Sequence, residues 1–346
     1  MVIFYCPIGQ KPNGGHKVIY QTVQCLNNVG IDSYIFHELK GYKLKWFNYT
    51  SKVKFTNEIS ESSHIIIPEV SLLKINKNIL KNTYSILVQN GYGIFYGCEC
   101  VKSYKKLKKL YYNSKFIYCV SPDTAQCVLE QFPSIQKKII NFVPNIDNLI
   151  FNINQKDYNK KKNIITIIIR KNPNLAFTII KYLNYRLPKN WKIQIIDNLN
   201  EKEVAKMLKI SKIFINVPGL EGFCLPPIEA ALSGNIVIGS TGNAGRFYWK
   251  FFKYPATELG DIKQVCMNVL SAIKNNKFNN KMSKQKDFIN FLNNHLKLHQ
   301  IIQKNYDKLL KNSKDKDQIV YRAKSYFIFK LNQIINKFIK TRISFF

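Results

Sequence analysis

Asn216–Gly234 reads NVPGLEGFCLPPIEAALSG, and the fold follows from how this stretch changes character. A β-branched run, Ile213–Val217, leads into it. A glycine-containing loop follows, and then Pro226 and Pro227. Ile228–Ser233 is good helix-forming sequence, and Gly234 stands where a C-terminal cap is expected. Proline is tolerated in a first helical turn because its missing N–H has no partner there. The pattern therefore predicts strand, loop, helix, with the helix starting near Pro226 or Pro227. A loop that runs into a helix N-terminus gathers free backbone N–H groups and the positive end of the helix dipole. Such a place suits a phosphate. Two carboxylates bracket it, Glu221 in the loop and Glu229 in the first helical turns.

The same rhythm extends outward in both directions. Asn163–Ile169 is nearly all apolar and β-branched, the mark of a buried parallel strand, and it stops at Arg170-Lys171. Pro173–Leu187 predicts a helix, Trp191–Ile196 a strand, Glu201–Leu208 a helix, Lys212–Val217 a strand and Asn235–Gly239 another. Near the N-terminus, Val2–Cys6 reads as a buried strand, followed by a loop ending in Asn13-Gly14-Gly15. Val18, Ile19, Thr22, Leu26 and Val29 then recur at helical spacing, and Asp32–Phe36 is a second strand. Strand, Gly-Gly turn, helix, strand opens a Rossmann-like domain; without G-x-G-x-x-G no dinucleotide is implied. Further strands are expected at His64–Ile67, Ser85–Gln89 and Phe116–Val120, and helices at Val101–Tyr112 and from Ser121-Pro122-Asp123 through Glu130. The polar run Asn152–Asn163 reads as a linker. Asp261–Ile273 and Ser283–Leu310 read as long helices. His295 and His299 stand four apart on the second, but no third ligand is near, so they read as a solvated face rather than a metal site. Ser240–Trp249, STGNAGRFYW, is a glycine-rich loop to which no role is assigned.

The chain has 346 residues, which suits two α/β domains of ordinary length. Lys and Arg number 53 against 21 Asp and Glu, a formal charge of +32. Two accounts stand open: a real anionic-surface role, or the Lys-, Asn- and Ile-rich bias of a genome. No Cys/His zinc pattern or basic helical region marks a nucleic-acid module. The eight cysteines include no CxxC pair and read as buried free thiols in a reducing compartment. The start, MVIFYCPIGQK, has no basic n-region and too short an apolar run for a signal peptide. No apolar stretch approaches the roughly 18 residues that span a bilayer. A cytoplasmic protein is expected, at most resting on the inner face of a membrane. The lysines at 102, 105, 106, 108 and 109 form a basic face, either simply solvated or facing an acceptor or lipid.

EGFCLPPIEAALSG resembles the Glu-x7-Glu signature of retaining glycosyltransferases of family 4, usually close to E-G-F-G-L-P-x-x-E-A-x-A-x-G. Cys224 stands where that family commonly has glycine, and a positive φ there would strain a cysteine. The resemblance implies a GT-B-like α/β fold, two Rossmann-like domains facing across a cleft. The expected division is 1–150 on the acceptor side and 151–316 on the donor side. Segment 317–346 would cross back onto the first domain. Its Phe327, Leu331, Ile334 and Phe338 share one helical face over Tyr326–Ile339. An interfacial membrane helix is the other account of that face. The implied activity is hexosyl transfer from a nucleoside-diphosphate sugar to a glycan or lipid-linked acceptor, with retention, without metal and without a separate cofactor.

Four polar or glycine-rich signals fall at predicted strand ends, where open α/β sheets bind ligands. They are Gly14/Gly15, Gln89/Asn90, Arg170/Lys171 and Glu221–Leu225. By resemblance, Gly14 and Gly15 let the backbone approach the donor diphosphate. Arg170 and Lys171 clamp it, with Lys171 the closer match. The amides of Gly222, Phe223, Cys224 and Leu225 bind sugar or phosphate oxygens. Glu229 accepts from the ribose hydroxyls, and Glu221 faces the transferred sugar and the reacting centre. Gln89 or Asn90 stands where many family members have a histidine facing donor or acceptor; a polar strand end is the plainer reading. Two other functions are compatible with the sequence. One is a non-catalytic GT-B-like protein holding an anionic glycan or membrane surface; the other is a nucleotide-sugar epimerase.

Overall fold

The computed structural model describes residues 1–9, 13–46, 48–146, 148–275, 282–310 and 319–325, together with 328 and 330. Its strands are β1 (Val2–Tyr5), β2 (Ser33–Phe36), β3 (Lys54–Thr56), β4 (Glu58–Ser60), β5 (His64–Pro68), β6 (Tyr84–Val88) and β7 (Ile117–Cys119). They continue with β8 (Ile139–Asn141), β9 (Lys162–Ile168), β10 (Lys192–Ile196), β11 (Ser211–Asn216), β12 (Ile236–Gly239) and β13 (Ile319–Arg322). The larger sheet has the order β3-β2-β1-β5-β6-β7-β8 and the smaller β10-β9-β11-β12. The pairs β1–β2, β1–β5, β2–β3 and β5–β6 are parallel, as are all three pairs of the smaller sheet. The long apolar runs of the sequence are these strands; a parallel strand covered on both faces needs apolar side chains on both.

Contacts divide the described chain into two units. The first comprises Met1–Leu87, Phe95–Ile117 and the described residues from Leu298 onward. The second comprises Val88–Ile94 and Tyr118–Lys297. The boundary expected near residue 150 thus falls inside the second unit. In the first unit the helix Gly14–Asn28 follows β1, and Asn13 caps it by accepting from the Gly15 N–H at 2.8 Å. β13 pairs antiparallel with β4 in the same unit. Nearly all of the helix expected at Tyr326–Ile339 lies outside the described residues.

In the second unit, Ile165, Ile167, Ile213, Ile215, Ile236 and Ile238 turn one sheet face onto Ala176, Ile179, Leu183, Val265, Val269 and Ala272. Each isoleucine so buried contributes about 1.5–3 kcal/mol. That face fixes the register of the sheet, because a one-residue slip would turn the isoleucines outward.

Two sequence expectations need correction. Ser283–Leu310 is not one helix but three: Met282–Asn293, Leu298–Lys304 and Tyr306–Leu310. Side chains at the breaks take the backbone carbonyls. His295 Nδ1 sits 2.7 Å from the Phe291 oxygen, Lys297 Nζ donates to Leu292, and Asn305 Nδ2 donates to Ile301. His295 therefore lies between helices, against the Phe291 and Phe247 rings, and not on a face shared with His299. The linker expected at Asn152–Asn163 contains the short helix Gln155–Tyr158 and a buried cation, Lys161.

Lys161 is 9% exposed, and its Nζ donates to the carbonyls of Leu208 and Ser211 at 2.9 and 2.6 Å, at the C-terminal end of the helix Glu201–Ile210. Burial lowers its pKa to about 7. An unfolded lysine titrates near 10.4, so between these values the unfolded chain binds more protons. This group's contribution to stability is therefore least favourable below pH 7 and rises as pH climbs from about 7 toward 10. In Lys161→Met that rise should be absent. Urea midpoints of both proteins at pH 6.5 and 9.5 check this, and parallel pH dependences would contradict it.

Candidate functional site

The chain runs β9 to β10 on one side of β9, then returns through the helix Glu201–Ile210 to β11 on the other side. The strand order reverses between β9 and β11. At such a switch point, loops leaving adjacent strands diverge and open a crevice at the carboxyl ends. The loop after β9 carries Arg170 and Lys171, and the loop after β11 carries Glu221. Lys171 Nζ and Glu221 Oε1 are 3.3 Å apart, with 45% and 19% of the two side chains exposed. A half-exposed pair of this kind stabilises the fold by only about 0–1 kcal/mol. Its interest is placement: a cation and a carboxylate, fifty residues apart in sequence, meet where a ligand would enter. Arg170 is exposed beside them.

The helix after this loop is Leu225–Leu232, with Cys224 as its N-cap residue. Pro226 and Pro227 fill its first turn, as expected, and remove two of the N–H groups that a helix start normally presents. The amides of Phe223, Cys224 and Leu225 remain at this helix start, at the positive end of its dipole. Glu229 is the fifth residue of the helix and half-buried. Gly234 takes φ +78° just past the C-cap Ser233, a left-handed conformation that glycine accepts without strain.

Cys224 has φ +59° and ψ +74°. The strain anticipated for a cysteine there is present, of order 1–2 kcal/mol for a non-glycine residue. Two buried partners hold it. Asn216 Nδ2, at the end of β11, donates to Cys224 Sγ at 3.4 Å and to the Ser240 carbonyl at 2.7 Å. The Tyr248 hydroxyl donates to the Cys224 carbonyl. Burial pushes the Cys224 thiol far up, with the Glu221 charge adding to the effect, so it stays protonated. It is a structural residue, not a nucleophile. Phe223 is buried on the Tyr248 ring, centroids 5.6 Å apart.

Gly222 is the tightest point. A Cβ there would lie 1.8 Å from the Gln89 carbonyl oxygen and 2.9 Å from Asn90 Cα. The Gly222 carbonyl accepts from Ser121 Oγ at 2.7 Å and Thr124 Oγ1 at 3.2 Å. Asn90 Nδ2 donates to the Leu220 carbonyl at 3.1 Å, while its Oδ1 accepts from the Tyr92 N–H. Both ends of Asn90 thus shape loops. Gln89 and Asn90 belong to the same unit as Glu221, while Gly14 and Gly15 belong to the other.

No protein-family model matches the sequence. No curated protein matches it either. Solved structures do match. Sucrose-phosphate synthase from Thermosynechococcus elongatus superposes with a TM-score of 0.69 at 9% identity, over 90% of this chain and 99% of that one. Anabaena HepE, solved with UDP and glucose, gives 0.63 at 9% identity over 90% and 99%. The catalytic domain of starch synthase IV from Arabidopsis thaliana, bound to ADP and acarbose, gives 0.59 at 11% identity over 90% and 98%. The fold is GT-B. At these identities the likeness is one of fold, two Rossmann-like domains, and the chemistry has to be argued from this chain's own residues.

Sequence reasoning missed one element of this GT-B chain's site, the loop Ser240–Trp249 after β12. Glu221 N–H donates to the Gly242 carbonyl at 3.0 Å, and Glu221 pairs with Asn243 as an isolated parallel bridge. Asn243, at φ +69°, donates through Nδ2 to the Tyr92 hydroxyl at 2.9 Å, and Tyr92 donates to Asp123 at 3.2 Å. The loop is the backing against which Glu221 is set. The signal available was Gly242-Asn243, a pair suited to left-handed backbone. Glycine richness alone did not say what the turn would hold.

Proposed function

We propose that this chain is a glycosyltransferase that moves a hexosyl group from a nucleoside-diphosphate sugar to a glycan or lipid-linked acceptor. The observation that carries the reading is the meeting of Lys171 and Glu221 at the switch point of the second unit's sheet, beside a helix N-terminus. The GT-B fold supports it, and so do the UDP, ADP and sugars bound by the neighbours HepE and starch synthase IV. The Glu221-to-Glu229 motif supports assignment to the retaining family 4 type.

The chemistry follows from charge. Breaking the sugar–phosphate bond leaves negative charge on the departing diphosphate. Lys171 and the amides at the start of the helix Leu225–Leu232 oppose that charge from fixed positions, which is where preorganised electrostatics act most strongly. A diphosphate arriving there competes with Glu221 for the Lys171 ammonium. Its arrival releases the carboxylate toward the sugar, where Glu221 accepts hydrogen bonds from hydroxyls and stabilises positive charge developing at the anomeric carbon. Glu229, one turn deeper, is suited to the ribose hydroxyls. The positive charge supplied by Lys171 and the amides supports transfer without a metal ion.

Calorimetry with UDP and ADP tests the reading. Lys171→Ala should weaken binding by about 1.5–3 kcal/mol, the scale of a charge-assisted hydrogen bond. Unchanged affinity would remove Lys171 from the site, and strict dependence on added Mg²⁺ would remove the metal-free reading. Turnover against a panel of nucleotide sugars then separates transfer from epimerisation and from binding alone.

A further inference from the structure

The sequence reading took the cysteines as buried thiols, and Cys6, Cys119, Cys224 and Cys266 are buried. Cys25, Cys98 and Cys127 are half-buried, and Cys100 is exposed. Cys98 and Cys100 have a common partner, Ser103. Cys100 is the N-cap residue of the 13-residue helix Val101–Asn113, a place where serine, threonine, aspartate or asparagine is usual. Its sulfur faces the Ser103 N–H, while the Cys100 N–H donates to Ser103 Oγ at 3.0 Å. The same Ser103 hydroxyl lies 3.6 Å from Cys100 Sγ and 3.7 Å from Cys98 Sγ.

We propose that Cys98 and Cys100 are a dithiol–disulfide pair in which Cys100 is the attacking thiolate and Cys98 the resolving thiol, with a low-molecular-weight disulfide as oxidant. The geometry supplies each requirement. A thiolate at Cys100 sits at the positive end of a helix dipole, faces a backbone N–H, is open to solvent, and would draw the Ser103 hydroxyl, now 2.7 Å from the Cys100 carbonyl and 3.6 Å from its sulfur. Its pKa is lowered, first by the Ser103 N–H and then by the Ser103 hydroxyl, with Lys102 adding its N–H and its charge. Cys98 is two residues away, so the Cα atoms are at most about 7 Å apart, near the span that a disulfide bridges. Gly97 enters at φ +81°, giving the turn a backbone that can readjust.

The step balances. Cys100 thiolate attacks one sulfur of glutathione disulfide, forming a mixed disulfide and expelling one glutathione thiolate. Cys98, losing its proton to solvent, attacks the Cys100 sulfur and expels the second glutathione. Two protein thiols are oxidised by two electrons, and one external disulfide is reduced to two thiols. Closing the bond takes the thiolate cap away from the first turn of the helix Val101–Asn113.

The full chain, freshly reduced, is exposed to glutathione disulfide, quenched with acid, digested and mapped by mass spectrometry. In the wild type the peptide bearing both cysteines should lose two hydrogens and retain no glutathione. It should react about tenfold faster than the half-buried Cys25 or Cys127, reflecting the exposure of Cys100 and its lowered pKa. Cys98→Ser should hold glutathione on Cys100 as a lasting adduct. Cys100→Ser should slow modification of Cys98 about tenfold. Cys100 is open to solvent and Cys98 half-buried, serine is close to cysteine in size, and serine is itself a good N-cap, so thermal melts should match the wild type. A lasting glutathione adduct on the wild-type peptide, earlier reaction at Cys25 or Cys127, or undiminished reaction at Cys98 in Cys100→Ser would overturn the pair.

Discussion

In Glu221→Gln, turnover with the true donor and acceptor is expected to fall about 10²-fold, in kcat and kcat/KM together. Glutamine keeps the size of the side chain, and the Glu221 N–H bond to Gly242 is made by the backbone, so the loop stays in place. What is lost is negative charge at the reacting centre. The ion pair with Lys171 goes too, which frees the ammonium for the diphosphate. Donor affinity should therefore hold or tighten while turnover drops, and melting should change by less than about 1 kcal/mol. Near-normal turnover in this variant would falsify the role given to Glu221. It would move the weight of evidence to a binding protein.

Gly222→Ala is expected to damage both folding and activity. The added methyl would meet the Gln89 carbonyl at 1.8 Å, and that obstacle is backbone, not a side chain that can rotate away. Overpacking of this kind costs about 1–3 kcal/mol or more. Relief requires the loop to lift, which breaks the bonds from Ser121 and Thr124 to the Gly222 carbonyl and displaces Glu221. Gly219→Ala is the control, because a Cβ there has nothing within 4 Å. Denaturant melts and turnover of the two variants decide the matter. If Gly222→Ala melts and turns over like Gly219→Ala, the close approach is not a constraint.

Periodicity carried most of the fold. The isoleucine runs of β9, β11 and β12 announced themselves because a parallel strand buried on both faces has no polar alternation to confuse with a helix. The short strands β3, β4 and β8 were not legible; three residues carry too little period. The helix breaks near His295 and Asn305 were missed because they arise from side chains competing for carbonyls, which a hydrophobic pattern does not register. Within the site, Lys171 and Glu221 were legible as strand-end residues, but their pairing depended on the order in which strands lie. Asn90 read as a polar strand end, with a ligand contact as the alternative, and its amide shapes two loops. Tyr92, Asp123 and Asn243 carried no motif at all, since their value comes from one chain of hydrogen bonds across distant segments.

The left-handed cysteine gives this loop its own gauge. Cys224 is 3% exposed, and burial holds its thiol protonated, with the Glu221 charge adding to the effect. An alkylating reagent can reach it only in molecules whose loop has swung out, so its labelling rate reads the opening equilibrium of the site directly. Here a position that departs from glycine supplies the probe, and occupancy of the crevice becomes measurable as a slowing of one chemical reaction.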